Sequence, residues 1–185
     1  MLFAPPTMGT GDLVKGAPFS ASGGWEAGLE GWVSDASLGG IAQRIDDFAR
    51  TGDWCIAANA LPWNGNNTLA TAATYIIPAA NCAGLRVKAS VWRRNLIYNN
   101  DAGSSNTDTS GGLQVRINGD LFKSESTAST GGTTWHKVEI EYLHMQNLDL
   151  AIRLNSNRRV STVGGSVVVY ATCAFDDWSI STELP

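Results

Sequence analysis

Cations and one tryptophan alternate with apolar residues along Leu85-Arg86-Val87-Lys88-Ala89-Ser90-Val91-Trp92-Arg93-Arg94. A strand turns alternate side chains to opposite faces, so Leu85, Val87, Ala89 and Val91 read as a core face. Arg86, Lys88, Ser90, Trp92 and Arg94 read as a working face. Gln114 and Arg116, from the alternating run Leu113–Ile117, join that face, with Arg153 and Tyr170 as further members. The chemistry of such a set is recognition. A flat indole stacks on a sugar ring, while Arg and Gln donate hydrogen bonds to hydroxyls or carboxylates. The same residue types also suit a protein-facing surface, and protein contact ranks slightly ahead of glycan contact, with plain solvent exposure as the bland reading.

Residues for catalysis are sparse. His136 and His144 are the two histidines, and His136 has no Ser or Cys near it in a nucleophile setting. No pair of carboxylates sits in glycosidase-like local context, and no glycine loop would cradle a phosphate. No enzyme is expected. Cys55, Cys82 and Cys173 are far apart, without metal-ligand spacing, and read as buried apolar thiols. Trp63 and Tyr98 fall in loops, whereas Trp25, Trp32, Trp54 and Trp178 read as core.

The elements that must position these residues are strands. Glycines, 20 in 185 residues, cluster with Asn, Ser and Asp between apolar runs, which is the punctuation of an all-β chain. Only 16% of the residues are charged, and the net charge of −4 argues against nucleic acid as a partner. No apolar run approaches a membrane span. Residues 1–20, with Pro5, Pro6 and Pro18, read as an extended arm that either docks on its own domain or reaches a neighbouring subunit. Residues 21–185 read as one domain. Strands are expected over Ile41–Ile45, Asp53–Ala58, Leu69–Ile77, Leu85–Arg94, Leu113–Ile117, Leu121–Lys123, Thr134–Leu143, Leu148–Leu154, Ser166–Ala171 and Ala174–Ser181. Asn118-Gly119 or Gly119-Asp120 reads as a hairpin turn. Asp46–Thr51 has room for one helical turn, and Asn99–Gly112, Ser124–Thr133 and Asn155–Gly165 read as loops, the last with Arg158 and Arg159 at its tip.

Several stretches, in order, resemble the jelly-roll carbohydrate-binding modules of the family 4/9/22 type. Gly23-Gly24-Trp25-Glu26-Ala27-Gly28-Leu29-Glu30-Gly31-Trp32 is similar to their Asn-Gly-x-Phe-Glu…Gly-Trp opening, with Gly23 for the asparagine and Trp25 for the phenylalanine. Gly52-Asp53-Trp54-Cys55-Ile56, Trp135-His136-Lys137-Val138-Glu139-Ile140 and Phe175-Asp176-Asp177-Trp178-Ser179-Ile180 resemble later strands of that pattern. The resemblance implies an antiparallel jelly-roll β-sandwich behind the arm. It also implies that Glu26 with Asp176 or Asp177 holds a structural calcium, which takes hard carboxylate and carbonyl oxygens. Carboxylates accepting backbone hydrogen bonds at strand ends are the bland alternative.

The expected function is therefore non-enzymatic. The main expectation is a virion protein, such as a phage head-decoration or tail component, that attaches through arm and sandwich surface to other virion proteins or to copies of itself. This rests on analogy with the jelly rolls of virus particles. The alternative is an extracellular carbohydrate-binding module that recognises a polysaccharide on its concave sheet.

Overall fold

The computed structural model of the protein describes residues 13–34, 40–60, 68–98, 109–129, 134–163 and 166–185. Among them run β1 (Ser20–Gly23), β2 (Val33–Ser34), β3 (Gly40–Ile45), β4 (Cys55–Ala60), β5 (Thr68–Ile77), helix α1 (Ala79–Cys82), β6 (Arg86–Tyr98), β7 (Thr109–Ile117), β8 (Asp120–Ser129), β9 (His136–Leu143), β10 (Leu150–Val163) and β11 (Ser166–Glu183). Every pairing is antiparallel. One layer runs β9–β6–β11, with β1 and the β4–β3 pair on the far edge of β11. The other runs β8–β7–β10–β5–β2. The far end of β10 pairs with the start of β11, from Arg159↔Ala171 to Val163↔Ser166, and so leads the chain from one layer to the other.

The core lies between the layers, as alternation requires. Val87, Ala89, Val91 and Phe175 from the first layer pack with Ala73, Leu113, Val115, Ile152 and Leu154 from the second. At one end Trp25, Trp32, Tyr75 and Trp178 form an aromatic plug, with ring centroids 5.5–6.5 Å apart. Trp54 stays half-buried outside this core and lies under the Arg44 guanidinium, 4.1 Å from the ring centroid. All three cysteines are buried and unbridged. Burial pushes the Cys55 thiol up to about 12, with the nearby Asp176 adding to the shift, and pushes Cys82 up to about 11.

The arm is described from residue 13. From residue 13 onward it docks on its own domain: Gly16 and Ala17 N–H donate to the carbonyls of Ala83 and Ala80, and Phe19 exchanges hydrogen bonds with Thr182. Residues 1–12 and Trp63 lie outside the described residues.

Several boundaries differ from expectation. Asp46–Thr51 forms bends without a helical turn, and the one helical turn among the described residues instead follows Pro78. Tyr98 closes β6. Thr109–Gly112 belongs to β7, and Ser124–Ser129 extends β8. Residues 155–163 continue β10, so Arg158 and Arg159 sit within a strand, and the last two expected strands are one. These segments are Ser-, Thr-, Asn- and Gly-rich, yet each has a hydrogen-bonding partner strand, which outweighs weak β-propensity. Asn118 and Gly119 both have positive φ, 49° and 87°, as the expected tight hairpin needs. No helix among the described residues is long and apolar enough to cross a membrane.

Candidate functional site

The residues singled out as one working face are divided between two. Val87, Ala89, Val91, Leu113 and Val115 all share the central core. Their strand neighbours therefore point away from it on opposite sides of the sandwich: Arg86, Lys88, Trp92 and Arg94 outward from the β6 layer, Gln114 and Arg116 outward from the β7 layer. Tyr170 pairs with Tyr98 in the backbone register of β11 and β6, and the side chains of both lie outside the described residues.

On the β6 layer the cations are already engaged. Arg86 meets Glu141 at 3.3 Å and Lys88 meets Glu183 at 2.6 Å, which draws the Glu183 carboxyl below its usual range. Such exposed pairs contribute little stability each. Arg50 lies 3.8 Å over the Trp92 ring, covering one face of the indole. Arg94 sits 5.1 Å from the Phe48 ring and 5.7 Å from Trp135. A groove of about 510 Å³ runs beside them, floored by Ser90, Ser179 and Ser181 and walled by Lys88, Lys137 and Glu139.

The β7 layer is different. Its register stacks outward residues in rows across the strands. One row is Ile76, Ala151, Arg116 and Leu121, and the next is Val33, Thr74, Arg153, Gln114 and Ser124. A third holds Asn155, Gly112 and Ser126. Although they point away from the core, Gln114 and Asn155 are each only 5% exposed, so the floor of this face is sunk below the surface. Asn155 Oδ1 is buried and accepts no hydrogen bond among the described residues. Arg116 is held by two bonds, Nε to Gln114 Oε1 at 3.0 Å and Nη1 to the Gly119 carbonyl at 2.6 Å. Gly112 completes the floor because nothing larger fits: a β carbon there would stand 2.0 Å from the Glu125 carbonyl oxygen. Asn155 lies in a stretch that reads as loop, and its place in the floor is a product of strand register.

The carboxylates of Glu26, Asp176 and Asp177 do converge. Oxygens of Asp176, Asp177 and Glu26 lie 3.5, 3.6 and 3.9 Å from where a β carbon on Gly24 would stand. Each is already taken by protein donors. Asp176 Oδ2 accepts the Arg50 and Thr51 amides, and its Oδ1 accepts the Asp177 amide. Asp177 accepts the Arg50 guanidinium and the Thr51 hydroxyl, and Glu26 accepts the Asp53 and Trp54 amides. Burial pushes the Asp176 carboxyl up to about 6, the amides pull it down, and the Asp177 charge adds to the rise. Among the described residues no three acidic, His or Cys side chains stand as a ligand set for one ion. Gly23, the departure from the resembled opening, has a local cause: the Glu30 carboxylate fills the place a side chain would take, 1.8 Å from its β-carbon position, and accepts the Trp178 indole N–H.

His144 is buried, and its Nε2 lies 2.8 Å from the Leu148 carbonyl oxygen, a structural contact at a turn. His136 is exposed at the start of β9.

No family model and no curated protein matches this sequence. Solved structures are. A CBM61 module in complex with beta-1,4-galactotriose superposes with a TM-score of 0.55 at 14% identity, over 86% of this chain and 94% of that one. The CBM22-1 xylan-binding domain of Paenibacillus barcinonensis Xyn10C superposes at 0.59 and 18% identity, over 91% and 97%. The CBM22-1–GH10 modules of Clostridium thermocellum Xyn10B, complexed with xylohexaose, superpose at 0.56 and 13% identity, over 86% of this chain and 28% of that one. At such identities the likeness is one of fold: the chain is an antiparallel jelly-roll β-sandwich, similar in fold to these modules.

Proposed function

We propose that the protein is a non-catalytic carbohydrate-binding module whose binding surface is the outward face of β5, β10, β7 and β8. The observation that carries this reading is the sunken polar floor of Gln114 and Asn155 with Arg116 above it. Asn155 Oδ1 is shut off from solvent as well as unpaired, which costs about 1–3 kcal/mol, and a ligand that opens the floor enough to donate a hydroxyl to it would recover that cost. Solved neighbours of the same fold bind oligosaccharides, which supports the reading. The virion expectation has no comparable support in the fold or the neighbours. Affinity electrophoresis against a set of soluble polysaccharides is the test. Binding is expected to be lost in Asn155→Ala, with the melting temperature close to wild type because the acceptor makes no bond among the described residues. Trp92→Ala, on the other layer, is expected to bind as wild type. Loss of binding in Trp92→Ala with retention in Asn155→Ala would move the site to the β6 layer.

At the carboxylate cluster we infer that Arg50 supplies the positive charge that calcium would otherwise bring. A calcium ion would have to displace its guanidinium from Asp177. The wild-type melting temperature is therefore expected to differ by no more than about 1 °C between calcium and EDTA. Arg50→Ala should melt lower and regain stability as calcium is added, by mass action on the freed carboxylates. A wild-type protein that loses several degrees in EDTA would overturn this.

A further inference from the structure

The two outward faces differ in how their charges are balanced. On the β6 layer Arg86 and Lys88 each have a glutamate. On the β7 layer Arg116 and Arg153 stand outward, Arg153 with its Nε 3.4 Å from Thr74 Oγ1, and the described outward positions of β2, β5, β10, β7 and β8 hold no Asp or Glu. Arg116 forms no ion pair among the described residues, and its Nη2 makes no hydrogen bond there, while Nε and Nη1 fix the plane of the group. Arg153 lies directly opposite Gln114, so Arg116 is its diagonal neighbour on the adjacent strand, at a spacing of about 7–8 Å.

From this we propose that the preferred ligand is an acidic polysaccharide whose charge is carried on sugar carboxylates, a uronate-bearing polymer, with Arg116 as the residue that reads the carboxylate. The proposal rests on the carbohydrate-binding reading above and adds the substrate class. A planar guanidinium pairs with a carboxylate through parallel N–H donors, which a neutral hydroxyl cannot match. The amide floor of Gln114 and Asn155 serves the hydroxyls that every sugar carries.

The test compares polygalacturonate with the same polymer after its carboxyls are reduced to alcohols, alongside neutral xylan and galactan, by calorimetry at low and high salt. Wild type is expected to bind polygalacturonate at least about tenfold more tightly than the reduced polymer, and the difference should shrink in high salt. Arg116→Gln should lose that preference while keeping the wild-type melting temperature, and Arg153→Gln should weaken it. Equal affinity for the charged and reduced polymers, or a preference for xylan or galactan, would overturn the uronate proposal and leave carbohydrate binding standing. Failure to bind any of the polymers would overturn both. The reduction arm needs no variant, so a misfolded Arg116→Gln leaves the proposal testable.

Discussion

Arg93→Ala is expected to destabilise the protein by about 3–5 kcal/mol, the summed cost of leaving several acceptors without their donor at about 1–3 kcal/mol each. Arg93 is fully buried on the core side of β6. Its Nε donates to Thr127 Oγ1 and its Nη2 to the Thr127 carbonyl, both at 2.8 Å, so it ties β6 in one layer to β8 in the other. Nη1 donates to Asn95 Oδ1 at 2.6 Å. Alanine would leave those acceptors without their donor. Arg93→Met restores volume and removes a buried charge while leaving the acceptors bare, and is expected to recover about half of the loss. Urea unfolding of the two variants checks this. A loss below about 1 kcal/mol in Arg93→Ala would show that the network contributes nothing net.

Arg93 also shows where sequence reading stops. The two-residue period that makes Leu85, Val87, Ala89 and Val91 a core face continues unchanged to Arg93 and Asn95, which are both buried. A pattern read by hydrophobicity ends at the last apolar residue, whereas the pleat of the strand does not. The same limit explains the working face. Alternation tells which residues share a side of their own strand, so Arg86, Lys88, Trp92 and Arg94 group correctly, as do Gln114 and Arg116. It does not tell which layer a strand joins, and β6 and β7 join different ones. The strands with clear alternation and the Asn118-Gly119 turn were legible because local chemistry decides them. The polar ends of β7, β8 and β10 were not, since pairing across the sheet decides those. Asn155, the residue on which the binding reading most depends, lies in such an end.

The second large effect is expected at Trp25. Its ring is fully buried, 6.2 Å from Trp32 and 6.5 Å from Trp178, and it joins the segment between β1 and β2 to β11. Trp25→Ala should cost about 3–5 kcal/mol, as large aromatic truncations in a core do. Trp25→Phe should behave differently. The indole Nε1 of Trp25 is buried without a hydrogen-bond partner among the described residues. Phenylalanine discards that orphan donor, worth about 1–3 kcal/mol, while giving up part of the packed area, so the two terms nearly cancel. Phenylalanine is also the residue at this place in the opening that the sequence resembles. The backbone at Trp25 has φ 59°, a left-handed conformation that alanine and phenylalanine must adopt at similar strain, so strain does not separate the two variants. Denaturant unfolding should therefore place Trp25→Phe within about 1 kcal/mol of wild type and Trp25→Ala far below it. Near-equal losses in both variants would mean that the indole N–H has a partner in solution, and that the aromatic plug is held by that bond as well as by area.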